Sequence, residues 1–311
     1  MTDEPQVSRP AGRFGDLLAA RVHERQSQIV LGIDPDPIEL WPTVAVTDAA
    51  AGAARTLQAV LAHCRALIDA AAPACVAVKF QLACFERLGA GGWGVLLALA
   101  AHAREQGLLV IADGKRGDIP VTATAYAQAL FGGLDTPLGY VDGLSADLAT
   151  VNPLLGAEAI EPFLKAARTR GGGILVLVRT SNPGAADLQD LPLASGGTVW
   201  ERVAELVGEL GEDGVGHSGL SDAGAVMGAT VPGHLARARE LMPNSIFLIP
   251  GVGAQGGDIA SLSAAFAPGR AGGLITASRS IAHAHLQGGG EPAQAARAEA
   301  ERLRASAWAL G

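Results

Sequence analysis

Short apolar runs recur along the chain, each giving way to a few polar residues and then to a segment of helical spacing. The runs begin near residues 29, 75, 108, 147, 173, 223, 245 and 273. An apolar run of this length bounded by turn residues reads as a strand buried on both faces. The segments between them, 47–72, 92–106, 121–130, 157–170, 198–210, 232–242 and 258–266, and the closing segment 291–309, read as helices. One further helix, Phe14–Gln26, precedes the first strand, with Phe14, Leu17, Leu18 and Val22 on one side. Strands alternating with helices are parallel strands joined by crossovers, and eight such units in a chain of this length make a (β/α)8 TIM barrel of the α/β class. The competing open, doubly wound sheet lacks support, because no G-x-G-x-x-G follows the first strand. Residues 1–10 are expected to be a flexible tail, and residues 11–311 a single barrel domain closed by the C-terminal helix.

Composition narrows the class. Of 311 residues, 49% are hydrophobic, which excludes a wholly disordered chain. A formal net charge of −8 argues against a nucleic-acid partner but leaves room for a local basic pocket. The cysteines, Cys64, Cys75 and Cys84, are odd in number and form no C-x-x-C pair, as expected of a reduced, cytoplasmic protein. The polar N-terminal stretch has no apolar core, so no signal peptide is expected. The longest apolar stretch, around Val95–Ala101, is too short to span a membrane.

Candidate chemistry gathers after the third strand. Asp113, Lys115 and Asp118 stand at D-x-K-x-x-D spacing. Residues i and i+2 of a strand share a face, so Asp113 and Lys115 emerge side by side if the strand persists that far. Asp118 falls where a helix can begin, with Pro120 in its first turn. A plain ion pair and a plain N-cap would explain the same residues. The position favours chemistry, because barrels place reactive groups at the C-terminal ends of their strands. Lys79, near the end of the second strand, is costly to bury without a partner. Asp34 ends the first strand.

The seventh and eighth units resemble an anion site. Pro250–Gly257 is a glycine-rich turn containing Gln255, and Arg279 follows the eighth strand with a fork suited to phosphate. The seven histidines are scattered, and His283-x-His285 lacks further ligands at metal spacing, so no metal site is expected. Ser181 has no base near it in sequence.

Several stretches together resemble one family, the orotidine 5′-phosphate decarboxylases, and more closely its bacterial type 2 branch. They are Gly32–Asp36, Ala77–Glu86, Asp113–Thr122, Thr150–Gly156, Thr180–Gly184, Val226–Pro232, Pro250–Gly257 and Ala277–Ile281. The D-x-K-x-x-D core is shared with related barrels, whereas T-S-N-P-G together with P-G-V-G-A-Q-G-G is far more specific. The resemblance implies a (β/α)8 dimer, without metal or organic cofactor, that removes CO2 from orotidine 5′-monophosphate (OMP) to give UMP. Carried over by motif, Lys115 protonates C6. Asp113 and Asp118 flank it, Asp118 in the neighbouring subunit's site, and Lys79 completes the charged array. Asp34 and Thr122 would touch the ribose, Thr122 again across the interface. Ser181 would meet the pyrimidine, and Gln255 and Arg279 the phosphate. Phe80 stands where that branch often has proline. The rival readings are a metal-dependent phosphosugar enzyme built on the same D-x-K core, and a non-catalytic nucleotide-binding barrel.

Overall fold

A computed structural model describes residues 12–44, 51–228, 232–250 and 259–310. Its strands are β1 (Ile29–Ile33), β2 (Ala77–Gln81), β3 (Leu109–Arg116), β4 (Gly133–Thr136), β5 (Gly139–Asp142), β6 (Leu148–Val151), β7 (Gly173–Arg179), β8 (Ala223–Met227), β9 (Phe247–Ile249) and β10 (Gly273–Ala277). Eight of them close a barrel in the order β1-β10-β9-β8-β7-β6-β3-β2, and every neighbouring pair is parallel. The remaining two, β4 and β5, form an antiparallel hairpin. This is the (β/α)8 barrel expected from the alternation.

The helices are α1 (Phe14–Arg25), α2 (Gly52–Ala71), α3 (Leu82–Glu86), α4 (Gly89–Glu105), α5 (Pro120–Phe131), α6 (Ala157–Thr169), α7 (Val199–Gly211), α8 (Pro232–Leu241), α9 (Arg279–Ala282), α10 (Ala284–Gly288) and α11 (Pro292–Trp308). The expected helix over 258–266 is instead a 3-10 segment, Ile259–Phe266. The run beginning near 223 forms a strand that ends at Met227, whereas the one beginning near 108 extends through the D-x-K motif to Arg116. The tail, residues 1–10, lies outside the described residues. No helix among the described residues is long and apolar enough to cross a membrane.

Alternate residues of each barrel strand feed two separate apolar layers. Val30, Ala77, Leu109, Ile111, Leu148 and Leu175 face the barrel interior, where α1 plugs the bottom with Phe14, Leu18 and Val22. Their strand neighbours Leu31, Val78, Val110, Ala149 and Ile174 face outward and pack under the helices. Two-sided burial explains why the strands read as unbroken apolar runs. The closing helix α11 turns Ala296, Ala300, Leu303 and Ala307 inward, at helical spacing, and rests on α2 and α9.

Candidate active site

The interior layer changes chemistry near the C-terminal ends of the strands. Following the inward parity upward, Val30 leads through Gly32 to Asp34, Ala77 to Lys79 and Gln81, Ile111 to Asp113, Leu148 to Thr150, and Leu274 to Thr276. On β7, β8 and β9 the inward residues stay apolar as Leu177, Val226 and Leu248. The result is a cavity of about 520 Å³ with one charged side and one apolar side. Asp34, Lys79, Asp113, Lys115, Ser181 and Arg279 all line it, so six residues nominated by sequence meet in one place.

Lys79 and Asp113 are only 6% and 5% exposed. Charges this deep persist only when paired. Lys79 Nζ donates to Asp113 Oδ2 at 2.7 Å and lies 3.7 Å from Asp34 Oδ1, while Lys115 Nζ donates to Asp113 Oδ1 at 2.6 Å. Burial alone would push the Asp113 carboxyl up, but Lys79 and then Lys115 outweigh it and hold the group below the usual carboxylate range. Burial likewise works against the Lys79 ammonium, yet Asp113 and Asp34 raise it above its ordinary value.

The side-by-side placement of Asp113 and Lys115 is met, but not by regular strand geometry. Lys115 has φ +49°, in the left-handed region that side-chain-bearing residues seldom adopt. The register between β3 and β6 shifts between Ala112 and Arg116. The Thr150 hydroxyl sits opposite this bulge, accepting from the Lys115 N–H and donating to Asp113 Oδ1, both at 2.9 Å.

Ser181 is held by the loop after β7. Arg179 clasps Asp190 through two bonds of 2.7 and 2.9 Å, and the Thr180 N–H donates to Gln189 Oε1 at 2.9 Å. A side chain at Gly228 would collide with Ser181, its Cβ only 2.9 Å from Ser181 Cα, so glycine there lets the end of β8 pass beneath the loop. Glycine at position 32 has the same use, since a Cβ would fall 1.8 Å from Ser278 Oγ, just before Arg279. Arg279 opens α9, and among the described residues no hydrogen bond or ion pair occupies its exposed side chain.

Asp118 and Thr122 do not join the cavity. Both are half-buried at the start of α5, where Asp118 Oδ1 accepts from the Ile119 N–H at 2.8 Å. Gln255 and most of its glycine-rich turn lie outside the described residues. Among the described residues no group of three or more His, Cys, Asp or Glu side chains is placed to hold a metal ion. His283 lies 3.7 Å from Glu39, and His285 is edge-on to Trp41.

Sequence reading did not nominate several polar wall residues, among them Gln81, Thr150, Gln189 and Thr276. Thr150 and Thr276 are the polar exceptions at inward positions of apolar strands, a signal that the alternation rule carries. Thr276 is 6% exposed, and its hydroxyl has no partner among the described residues. Chemically, the array presents the Lys115 ammonium to the cavity, aimed by the buried Asp113 carboxylate that Lys79 also holds. Such a group stabilises negative charge on a bound molecule and can transfer a proton to it.

Comparison with known proteins points the same way. The family model described as Orotidine 5'-phosphate decarboxylase / HUMPS family matches residues 27–298. An orotidine 5′-phosphate decarboxylase of Deinococcus radiodurans is 41% identical over 272 residues, covering 87% of this chain and 89% of that protein. Among solved structures, Leishmania donovani OMP decarboxylase superposes with a TM-score of 0.69 at 30% identity, covering 95% of this chain and 98% of that one. Leishmania donovani UMP synthase gives 0.72 at 31% identity over 95% of this chain, which spans 57% of that longer protein.

Proposed function

The chain belongs to the orotidine 5′-phosphate decarboxylase family, and on that premise we propose that it converts OMP to UMP and CO2, in the manner of the bacterial type 2 branch. The observation that carries this reading is the Lys115 ammonium pinned on buried Asp113, in a cavity whose rim also bears Arg279. Breaking the bond from C6 to the carboxylate releases CO2 and leaves the electron pair on C6. With no electron sink in the ring, that charge needs a fixed cation beside it. Lys115 supplies the cation, then gives C6 a proton and is left as the neutral amine, which regains a proton from water. Asp113 keeps Lys115 charged and aimed, and Lys79 balances the carboxylate from its other side.

Arg279, with Gln255, is assigned the phosphate, Ser181 the pyrimidine and Asp34 the ribose. Binding energy from a phosphate remote from C6 can be used at the transition state.

Asp118 and Thr122 are assigned to the active site of a second subunit. Their sequence neighbours Ile119 and Val121 are exposed, Val121 at 81%, and Leu138, Tyr140 and Val141 on the β4–β5 hairpin are exposed as well. Exposed apolar side chains of this kind suit an isologous dimer contact. The three cysteines are unbonded and Cys64 and Cys75 are buried, in keeping with a reducing, cytoplasmic setting.

The test is the ultraviolet absorbance change of OMP with purified protein in EDTA, comparing wild type with Lys115→Ala. Turnover by wild type, and a fall of at least about a thousandfold in a variant that still binds UMP, is the expected result. A folded wild type that leaves OMP intact would overturn the reading, and activity on phosphosugars restored by added metal would install its rival.

A further inference from the structure

We propose that Thr150 is the positioning residue that locks Lys115 onto Asp113, and that its hydroxyl, rather than the β-ladder, sets the geometry of the reactive ammonium. The inference rests on the function proposed above.

The register carries the argument. Ile111 lies opposite Leu148 and Ala112 opposite Ala149, and the ladder resumes with Arg116 opposite Val151. Three residues of β3, Asp113, Gly114 and Lys115, therefore face the single residue Thr150. A bulge leaves its extra residues without ladder partners. Here the bulged segment carries the reactive pair, and Lys115 is further committed to φ +49°. Backbone in that region persists only where its surroundings determine it.

Thr150 provides that determination with one hydroxyl. It is 1% exposed, so no solvent competes for its bonds. Its oxygen accepts from the Lys115 N–H and its proton goes to Asp113 Oδ1, both at 2.9 Å. The same Oδ1 accepts from Lys115 Nζ at 2.6 Å. Backbone, carboxylate and ammonium thus form a closed ring through Thr150. A hydroxyl has one proton to give and lone pairs to accept with, so both bonds are made at once. Past the bulge, the Asn152 N–H donates to the Arg116 carbonyl at 2.8 Å and ordinary pairing resumes. Thr150 also lines the cavity, but its hydroxyl is committed to Lys115 and Asp113.

Thr150→Val keeps the shape of the side chain and removes the hydroxyl, while Thr150→Ser keeps the hydroxyl. Two readouts are taken on each folded variant: steady-state decarboxylation of OMP, and hydrogen exchange at the Lys115 amide. The Val variant is expected to lose about 10- to 100-fold in kcat, as small misplacements of reactive groups do, with KM for OMP held within about twofold. Its Lys115 amide should lose protection. The Ser variant should recover both kcat and protection. Wild-type kcat or a protected Lys115 amide in the Val variant would overturn the inference, and so would a Ser variant as impaired as Val. If wild type does not act on OMP, the proposed function fails, and the exchange measurement alone then decides the role of Thr150.

Discussion

Asp113 is the residue on which the site balances. Each of its oxygens serves a different cation, Oδ2 taking Lys79 and Oδ1 taking Lys115, with the Thr150 hydroxyl as a third donor. Removing the carboxylate leaves Lys79 buried with only Asp34, 3.7 Å away, to offset its charge. Breaking one side of a buried ion pair costs about 3–5 kcal/mol, far more than the pair contributes against an apolar replacement. Asp113→Ala is therefore expected to lower the unfolding free energy at pH 7 by about that amount, read by urea denaturation. A loss under about 1 kcal/mol would mean that Lys79 sheds its proton or reaches solvent in the variant. Because the Asp113 carboxyl is held low, its stabilising contribution is present above the ordinary carboxylate pKa and is lost as pH falls through the lowered folded value.

At the scale of elements, the site depends on three segments that meet beside it. The stretch after β1 carries Asp34 and Trp41, α2 carries His63, and α9 begins with Arg279. The Trp41 N–H donates to His63 Nδ1 at 3.2 Å, and the Trp41 indole N–H donates to the Ala282 carbonyl at 2.8 Å. Burial first, then nearby His283 and His285, push His63 down to about 4. The unfolded chain, with an imidazole near 6.5, binds more protons than the folded one between those values. Stability from this group is thus complete above about pH 6.5 and falls as pH drops toward 4, by up to about 3 kcal/mol. His63→Gln can still accept from Trp41 and does not ionise. Its unfolding free energy should fall less than that of wild type between pH 7 and pH 4.5, by about 2 kcal/mol. Equal losses would show that the folded protein protonates His63 without penalty. Sequence made these elements legible where burial imposed a period. The strand starts and the helices around the barrel follow from apolar runs with one inside and one outside layer. The hairpin β4–β5 was not legible, because nearly all of it faces outward and carries no apolar period. The bulge was not legible either, since D-G-K reads as two more strand residues and a glycine, and only the register against β6 reveals three residues facing Thr150.

For the whole molecule, activity alone can report whether two copies share their sites. Lys115 lines its own subunit's cavity, whereas Asp118 and Thr122 stand outside it, on a face where their neighbours Ile119 and Val121 are exposed. If that face pairs two copies, each complete site takes Lys115 from one subunit and Asp118 from the other. Lys115→Ala and Asp118→Ala homodimers are then both inactive at every site. A dimer holding one of each variant has one site with both lesions and one with neither. Random exchange of equal amounts makes half the dimers mixed, so the mixture should regain about a quarter of wild-type activity from two silent preparations. The gain should follow the rate of subunit exchange and disappear in Val121→Asp, which sets a charge into the apolar contact. Sedimentation should show that variant as a monomer. Two silent preparations that stay silent after proven exchange would place Asp118 in its own subunit's chemistry or outside the reaction altogether.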